Sequence, residues 1–164
     1  FKMNLGTAIV GAIFIAIFML PFIFMLNGRK KKEKQLMQSI LTVASNHNCK
    51  ISQQDISEEF AIGLDETLNQ LFFLKKTTEK EIAQHVNLGE IKSCKVIKTE
   101  HFTGNKEDSS KLIDKLDLHF SFLDRKNPDI SFVFYDSEEN FGMDSEIQMI
   151  EKWSKIINDR LKNI

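Results

Sequence analysis

The chain has 164 residues, with 22 Lys and Arg against 23 Asp and Glu, a formal net charge of -1, and two cysteines. A charge balance this even, with no basic stripe, argues against a nucleic-acid partner. Two cysteines, Cys49 and Cys94, lack a CxxC spacing and fall after the apolar run in a compartment expected to be reducing, so they are expected as small buried or half-buried side chains rather than as a disulfide.

The first element is apolar. Leu5 to Leu26 carries no charged residue and is rich in Ile, Phe, Leu, Val and Ala. At about 1.5 Å per residue, a helix of this length crosses a hydrocarbon core of about 30 Å. The basic cluster follows the apolar run, whereas a cleaved signal peptide carries its positive charge ahead of a shorter core. Residues 1–27 are therefore expected to be a transmembrane anchor; Met3 is a candidate initiator, and Phe1 and Lys2 carry no functional weight. Pro21 removes the backbone donor that the carbonyl of Ile17 expects, which predicts a modest kink. Thr7, Ala8, Gly11, Ala12 and Ala16 form a ridge of small residues, a surface on which a second helix can approach closely in lipid.

Arg29, Lys30, Lys31, Lys32 and Lys34 come directly after the apolar run, against Lys2 alone before it. That asymmetry predicts a single-pass protein with its N-terminus outside and its remainder in the cytoplasm. The same five residues are placed to meet anionic lipid headgroups. Over residues 28–48, Leu36, Met37, Ile40, Leu41 and Ala44 recur at helical spacing, so a second helix continues from or follows the span, and Asn46-His47-Asn48 is a plausible stop.

From Cys49 the period changes. Strands are predicted at Cys49–Ser52, Phe60–Asp65, Gln70–Lys76, Glu81–Asn87, Ile91–Phe102, Lys111–Phe122 and Ile130–Tyr135, separated by turn-forming stretches such as Asp65-Glu66-Thr67-Leu68-Asn69 and Lys126-Asn127-Pro128-Asp129. Leu116, Leu118, Phe120 and Phe122 alternate, as do Ile130, Phe132 and Phe134, which marks half-buried antiparallel strands. After Phe141-Gly142 the period returns to helical, with Ile147, Ile150, Trp153, Ile157, Leu161 and Ile164 on one side and Asp144-Ser145-Glu146 as an acidic first turn. The expected class is α+β, mostly β: seven antiparallel strands in one meander curling into a barrel or sandwich, closed by a C-terminal helix, with residues 49–164 as one domain.

This element order, together with EIQMIEKWSKIINDRL from Glu146 to Leu161, resembles the pleckstrin-homology-like (PH-like) fold, and more closely the membrane-tethered PH-like domains of bacteria. The run Leu71 to Val96, a hairpin leading through a polar turn into a long strand, is similar to the same pattern. The resemblance covers roughly Cys49 to the end. It implies a bent seven-stranded sheet plugged by the C-terminal helix through Trp153, with Ile150 and Ile157 beside it, and places the chain in a bacterial inner membrane. Phosphoinositide-binding members carry basic residues on the first hairpin loop. Here that loop, taken as Gln53 to Glu59, is acidic, so protein recognition is the favoured use.

Asp65 with Glu66, Asp114 with Asp117, Glu138 with Glu139, His85 and His119 are the acid-base candidates, yet none falls in a nucleophile-base pattern, and no phosphate loop or GxSxG is present. The histidines have no metal-ligand spacing. No enzyme activity, cofactor or metal is expected. Two roles remain. One is an accessory or scaffold subunit of an integral membrane protein complex; the other is a membrane-tethered lipid- or ligand-sensing domain.

Overall fold

The computed structural model describes residues 5–103, 110–139, 143 and 145–164. The first element, α1 (Leu5–Asn46), is one uninterrupted helix of 42 residues, about 63 Å long, that includes Pro21. Its first half is long and apolar enough to cross a membrane, and its described side chains from Ile9 to Met25 stand exposed. The second half is different. Leu36, Ile40 and Ala44, four residues apart and so on one stripe, are buried against the domain. Met37 is half-buried and Leu41 exposed, so the predicted stripe is narrower than its apolar residues suggested.

Helix α1 stops where the sequence implied. Asn48 adopts a left-handed φ of 56° and the Cys49 amide bonds back to the carbonyl of Ala44, a closure Asn tolerates well. The strands are β1 (Gln53–Ile56), β2 (Phe60–Asp65), β3 (Gln70–Lys76), β4 (Glu81–Asn87), β5 (Ile91–Thr103), β6 (Ser110–Phe122) and β7 (Ile130–Asp136), followed by helix α2 (Glu146–Leu161). All neighbouring pairs are antiparallel.

Two expectations are corrected. The predicted strand Cys49–Ser52 is a link outside any strand, and the first strand lies at Gln53–Ile56. Ile51 is apolar because it packs on Gly63, where a Cβ would sit 2.7 Å from Ile51 Cδ1. The acidic "loop" Gln53 to Glu59 is therefore mostly strand, with only Ser57, Glu58 and Glu59 in the turn. The strands also do not form one continuous sheet or a closed barrel: β1-β2-β3-β4 and β5-β6-β7 are separate sheets. A 3-10 turn at Leu88–Glu90, capped by the Asn87 side chain on the Gly89 amide, carries the chain from β4 in the first sheet to β5 in the second. The Gln84 side chain of β4 donates to the Ser131 carbonyl of β7 at 3.3 Å, so polar contact continues where the ladder does not.

The core lies between the sheets. Phe60, Ile62, Leu64, Leu71 and Phe73 face Leu116, Leu118, Phe120, Phe132 and Phe134. Phe73 stacks on Phe132 at 5.0 Å between ring centroids and Phe60 meets Phe134 at 4.7 Å, within the range where aromatic pairs attract beyond their area. Helix α2 fills the gap between the sheets with Ile150, Trp153 and Ile157, all fully buried. Ile147 and Leu161 pack at its margins, and Ile164 lies exposed beyond its end. The opposite faces of β2 and β3, through Ala61, Phe72 and Leu74, receive the Leu36–Ile40–Ala44 stripe of α1. These two strands are buried on both sides, the physical reason for their near-continuous apolar runs. Cys49 is half-buried and Cys94 buried; both are free thiols, and burial pushes the Cys94 thiol up to about 12.

Candidate functional site

The site with the most chemistry lies where α1 leaves its apolar half and meets the domain. Arg29, three residues past Leu26, pairs with Glu58 of the β1–β2 turn at 2.6 Å. A cleft of about 230 Å³ opens beside this pair, with Lys32 and Leu36 of α1 on one wall and Glu58, Glu59, Lys76 and Glu139 among the others. Behind it, Lys75 extends the apolar run of β3 inward and is only 3% exposed. Its Nζ meets Glu139 Oε2 at 2.8 Å, and Lys80 approaches the other oxygen at 3.2 Å. The Lys75 contact holds the Glu139 carboxyl below its usual range, with Lys80 adding to it against the opposing effect of burial. On β6, burial raises the Asp117 carboxyl despite Lys115 at 3.9 Å.

The predicted residues are placed as follows. Arg29, Lys30, Lys31, Lys32 and Lys34 all stand exposed on α1. Gly11, Ala12 and Ala16 are exposed on its apolar half, and nothing comes within 4 Å of a Cβ built on Gly11. The side chains of Thr7 and Ala8 lie outside the described residues. Trp153 Nε1 donates to Asp55 Oδ2 at 2.8 Å, so the indole is seated against β1 as well as buried.

The acid-base candidates are dispersed. Asp65 is buried and accepts from the Lys50, Thr67 and Leu68 amides, closing the β2–β3 turn. His119 contacts Ser131 and Asp129, and the His85 ring meets that of His47 in a tilted contact with centroids 4.1 Å apart. Asp114 contacts His101 at 2.5 Å. No group of three metal-ligating side chains is present among the described residues. A hollow of about 370 Å³ at the opposite end, between α2 and the β2–β3 turn, is bridged by Arg160, whose Nε donates to Asn69 and whose Nη2 reaches the Glu66 carbonyl.

Sequence reasoning missed Glu58, Lys75, Lys76 and Glu139 as neighbours, because they come from separate turns and strand ends. Lys75 alone left a signal, as a charged residue continuing the apolar run LFFL. Comparison with family models, with curated proteins and with solved structures finds no match.

Proposed function

We propose that this chain is a single-pass protein of a bacterial inner membrane, N-terminus outside, that holds a PH-like interaction domain against the cytoplasmic face as an accessory or scaffold subunit of an integral membrane complex. The observation that carries this reading is the continuity of α1: one helix has an uncovered apolar half and a second half built into the domain core. Such a helix transmits the position of whatever packs on its small-residue ridge to the domain without a flexible joint. Five basic residues after the apolar run support the orientation. Two antiparallel sheets with a C-terminal helix seated between them through Trp153 support the PH-like reading. The domain acts by binding in this reading, since its acid-base side chains stand apart on separate strands and turns, His119 with Ser131 and Asp129 excepted.

The cleft favours a second reading, a membrane-tethered sensor of a small zwitterionic ligand, because Lys32 and Lys76 share it with Glu58 and Glu139. Two measurements test the main proposal. A reporter fused after Ile164 should read as cytoplasmic, and a periplasmic signal contradicts it. The full chain purified in mild detergent should co-elute with an integral membrane protein at fixed stoichiometry; elution alone, with saturable binding of a zwitterionic headgroup, favours the sensor.

A further inference from the structure

The outer face of the second sheet brings a hydroxyl, an imidazole and a carboxylate into one row. Leu118 and Phe120 of β6 point into the core, so alternation puts His119 and Ser121 on the opposite face. His119 lies opposite Ser131 of β7 in the register. The Phe122 amide bonds toward Asp129, on the β7 side of β6. Amides alternate in direction along a strand, so the amide and carbonyl of His119, three residues back, point toward β5. The His119–Ser131 pair is therefore a non-hydrogen-bonded one, and the amide and carbonyl of Ser131 face the free edge of β7. The Gln84 side chain, which reaches the Ser131 carbonyl from β4, marks the same direction. Side chains come closest in pairs of this kind, and Ser131 Oγ lies 3.0 Å from His119 Nδ1.

The row continues on the other side of the ring. His119 Nε2 lies 3.1 Å from Asp129 Oδ2, and the Ser121 hydroxyl donates to that same oxygen at 3.0 Å. The Ser121 bond, with His119 adding to it against the opposing effect of desolvation, holds the Asp129 carboxyl below its usual range. An ionised carboxylate only accepts. The neutral imidazole therefore carries its proton on Nε2 and offers the Nδ1 lone pair to the Ser131 hydroxyl. Nucleophile, base and orienting carboxylate stand in the order that activates a serine.

We infer that Ser131 is a nucleophile for the hydrolysis of small acyl esters, with His119 as its general base and Asp129 as the positioning residue that fixes the ring. Ser131 Oγ attacks the ester carbonyl carbon while His119 Nδ1 takes the hydroxyl proton. The C–O bond to the alcohol breaks, the alcohol leaves with that proton, and the acyl group stays on Oγ. Water then gives a proton to Nδ1 and attacks the acyl carbon; the carboxylic acid departs and the proton returns to Oγ. The Ser131 amide, directed to the free edge outside the β6–β7 ladder, serves the oxygen of the attacked carbonyl. The side chain of His119 is 27% and that of Asp129 46% exposed. So open a face admits water and a short acyl group, whereas a long acyl chain needs an enclosed apolar pocket. This activity is separate from the docking role of α1 and does not rest on it.

The test incubates the full chain in mild detergent with p-nitrophenyl acetate, quenches in acid and locates acetyl groups by peptide mass spectrometry. Ser131 should be acetylated faster than Ser121, which shares Asp129 with the imidazole, and p-nitrophenolate release should exceed one equivalent. That comparison needs no variant. His119→Gln should slow acetylation of Ser131 about a hundredfold, the lower end of what a general base contributes. Asp129→Asn should lower kcat and leave KM unchanged, because an Asn in that place no longer fixes the tautomer. Unaltered emission from the buried Trp153 checks that each variant is folded. Acetylation of Ser131 no faster than of Ser121, or an unchanged rate in folded His119→Gln, overturns the inference.

Discussion

Asp55 on β1 and Trp153 on α2, nearly a hundred residues apart, are joined through one oxygen: Asp55 Oδ2 accepts from Trp153 Nε1 at 2.8 Å and from Lys152 Nζ at 2.6 Å. The indole is fully buried between the sheets, so the bond satisfies its polar edge where water cannot. Trp153→Ala should destabilise the domain by about 3 to 5 kcal/mol, the range for removing a large buried aromatic. Asp55→Ala, which keeps the packing and leaves the N–H unpaired, should cost about 1 to 3 kcal/mol. Denaturant titration followed by circular dichroism measures both; native emission from Trp153 that is already red would contradict the first.

The second half of α1 belongs to the fold, which moves the start of the autonomous domain upstream of Cys49. A fragment starting at Lys30 should fold, while one starting at Cys49 uncovers Ala61, Phe72 and Leu74. Ile40→Ala should cost about 2 to 5 kcal/mol, because its side chain has no exposed area to relax into. Equal stability of the two fragments, read from thermal unfolding, would contradict this packing.

Asp65 provides an acid-side test. Burial pushes its carboxyl up, but the Leu68, Lys50 and Thr67 amides, with Arg160 nearby, outweigh that and hold it below the usual range. A lowered folded-state value means that its contribution is fully present above the unfolded carboxylate value of about 3.9 and is lost as pH falls through the folded one. Asp65→Asn should cost about 1 to 3 kcal/mol at neutral pH, since one amide oxygen replaces two carboxylate oxygens. The gap between variant and parent should close in strong acid, as unfolding curves across pH would reveal.

His85 makes the corresponding prediction near neutrality. Burial lowers its value, His47 adds to this, and Glu90 opposes it. Protonation therefore disfavours the fold: stability is full above the unfolded value of about 6.5 and declines as pH falls below it toward the folded value. His85→Phe, which keeps a ring against His47 and Phe72, should flatten stability over that interval. A pH profile identical to the parent's would rule His85 out as its source.

Local pattern carried much of the architecture. Phe60–Asp65, Gln70–Lys76 and Glu81–Asn87 coincide with the strands found, because each pairs a clear period with a turn signal, while the C-terminal helix, Glu146–Leu161, stops short of Ile164, which the helical period includes. Cys49–Ser52 misled because Ile51 is apolar for a contact with Gly63, not for a place in a ladder. The double burial of β2 and β3 was written in their apolar runs, but the identity of the second cover was not, since the α1 stripe arrives from outside the sheet. The cleft was illegible for the same reason: Arg29, Glu58, Lys75 and Glu139 meet only once the chain has folded. The far half of the β5–β6 hairpin read as ordinary strand because Phe102 and Leu112 look the same in sequence whether or not a core covers them.

The central claim is that α1 couples a helix-packing ridge in the membrane to a domain outside it. It is tested most directly by co-purification of the full chain and of Ala12→Leu from mild detergent, with membrane extraction measured in parallel. The account predicts equal insertion of both and a marked loss of the co-eluting membrane protein from the variant, since a larger side chain removes the close-approach surface while keeping the segment apolar. Unchanged co-elution from the variant, or a parent chain that purifies alone, would contradict it.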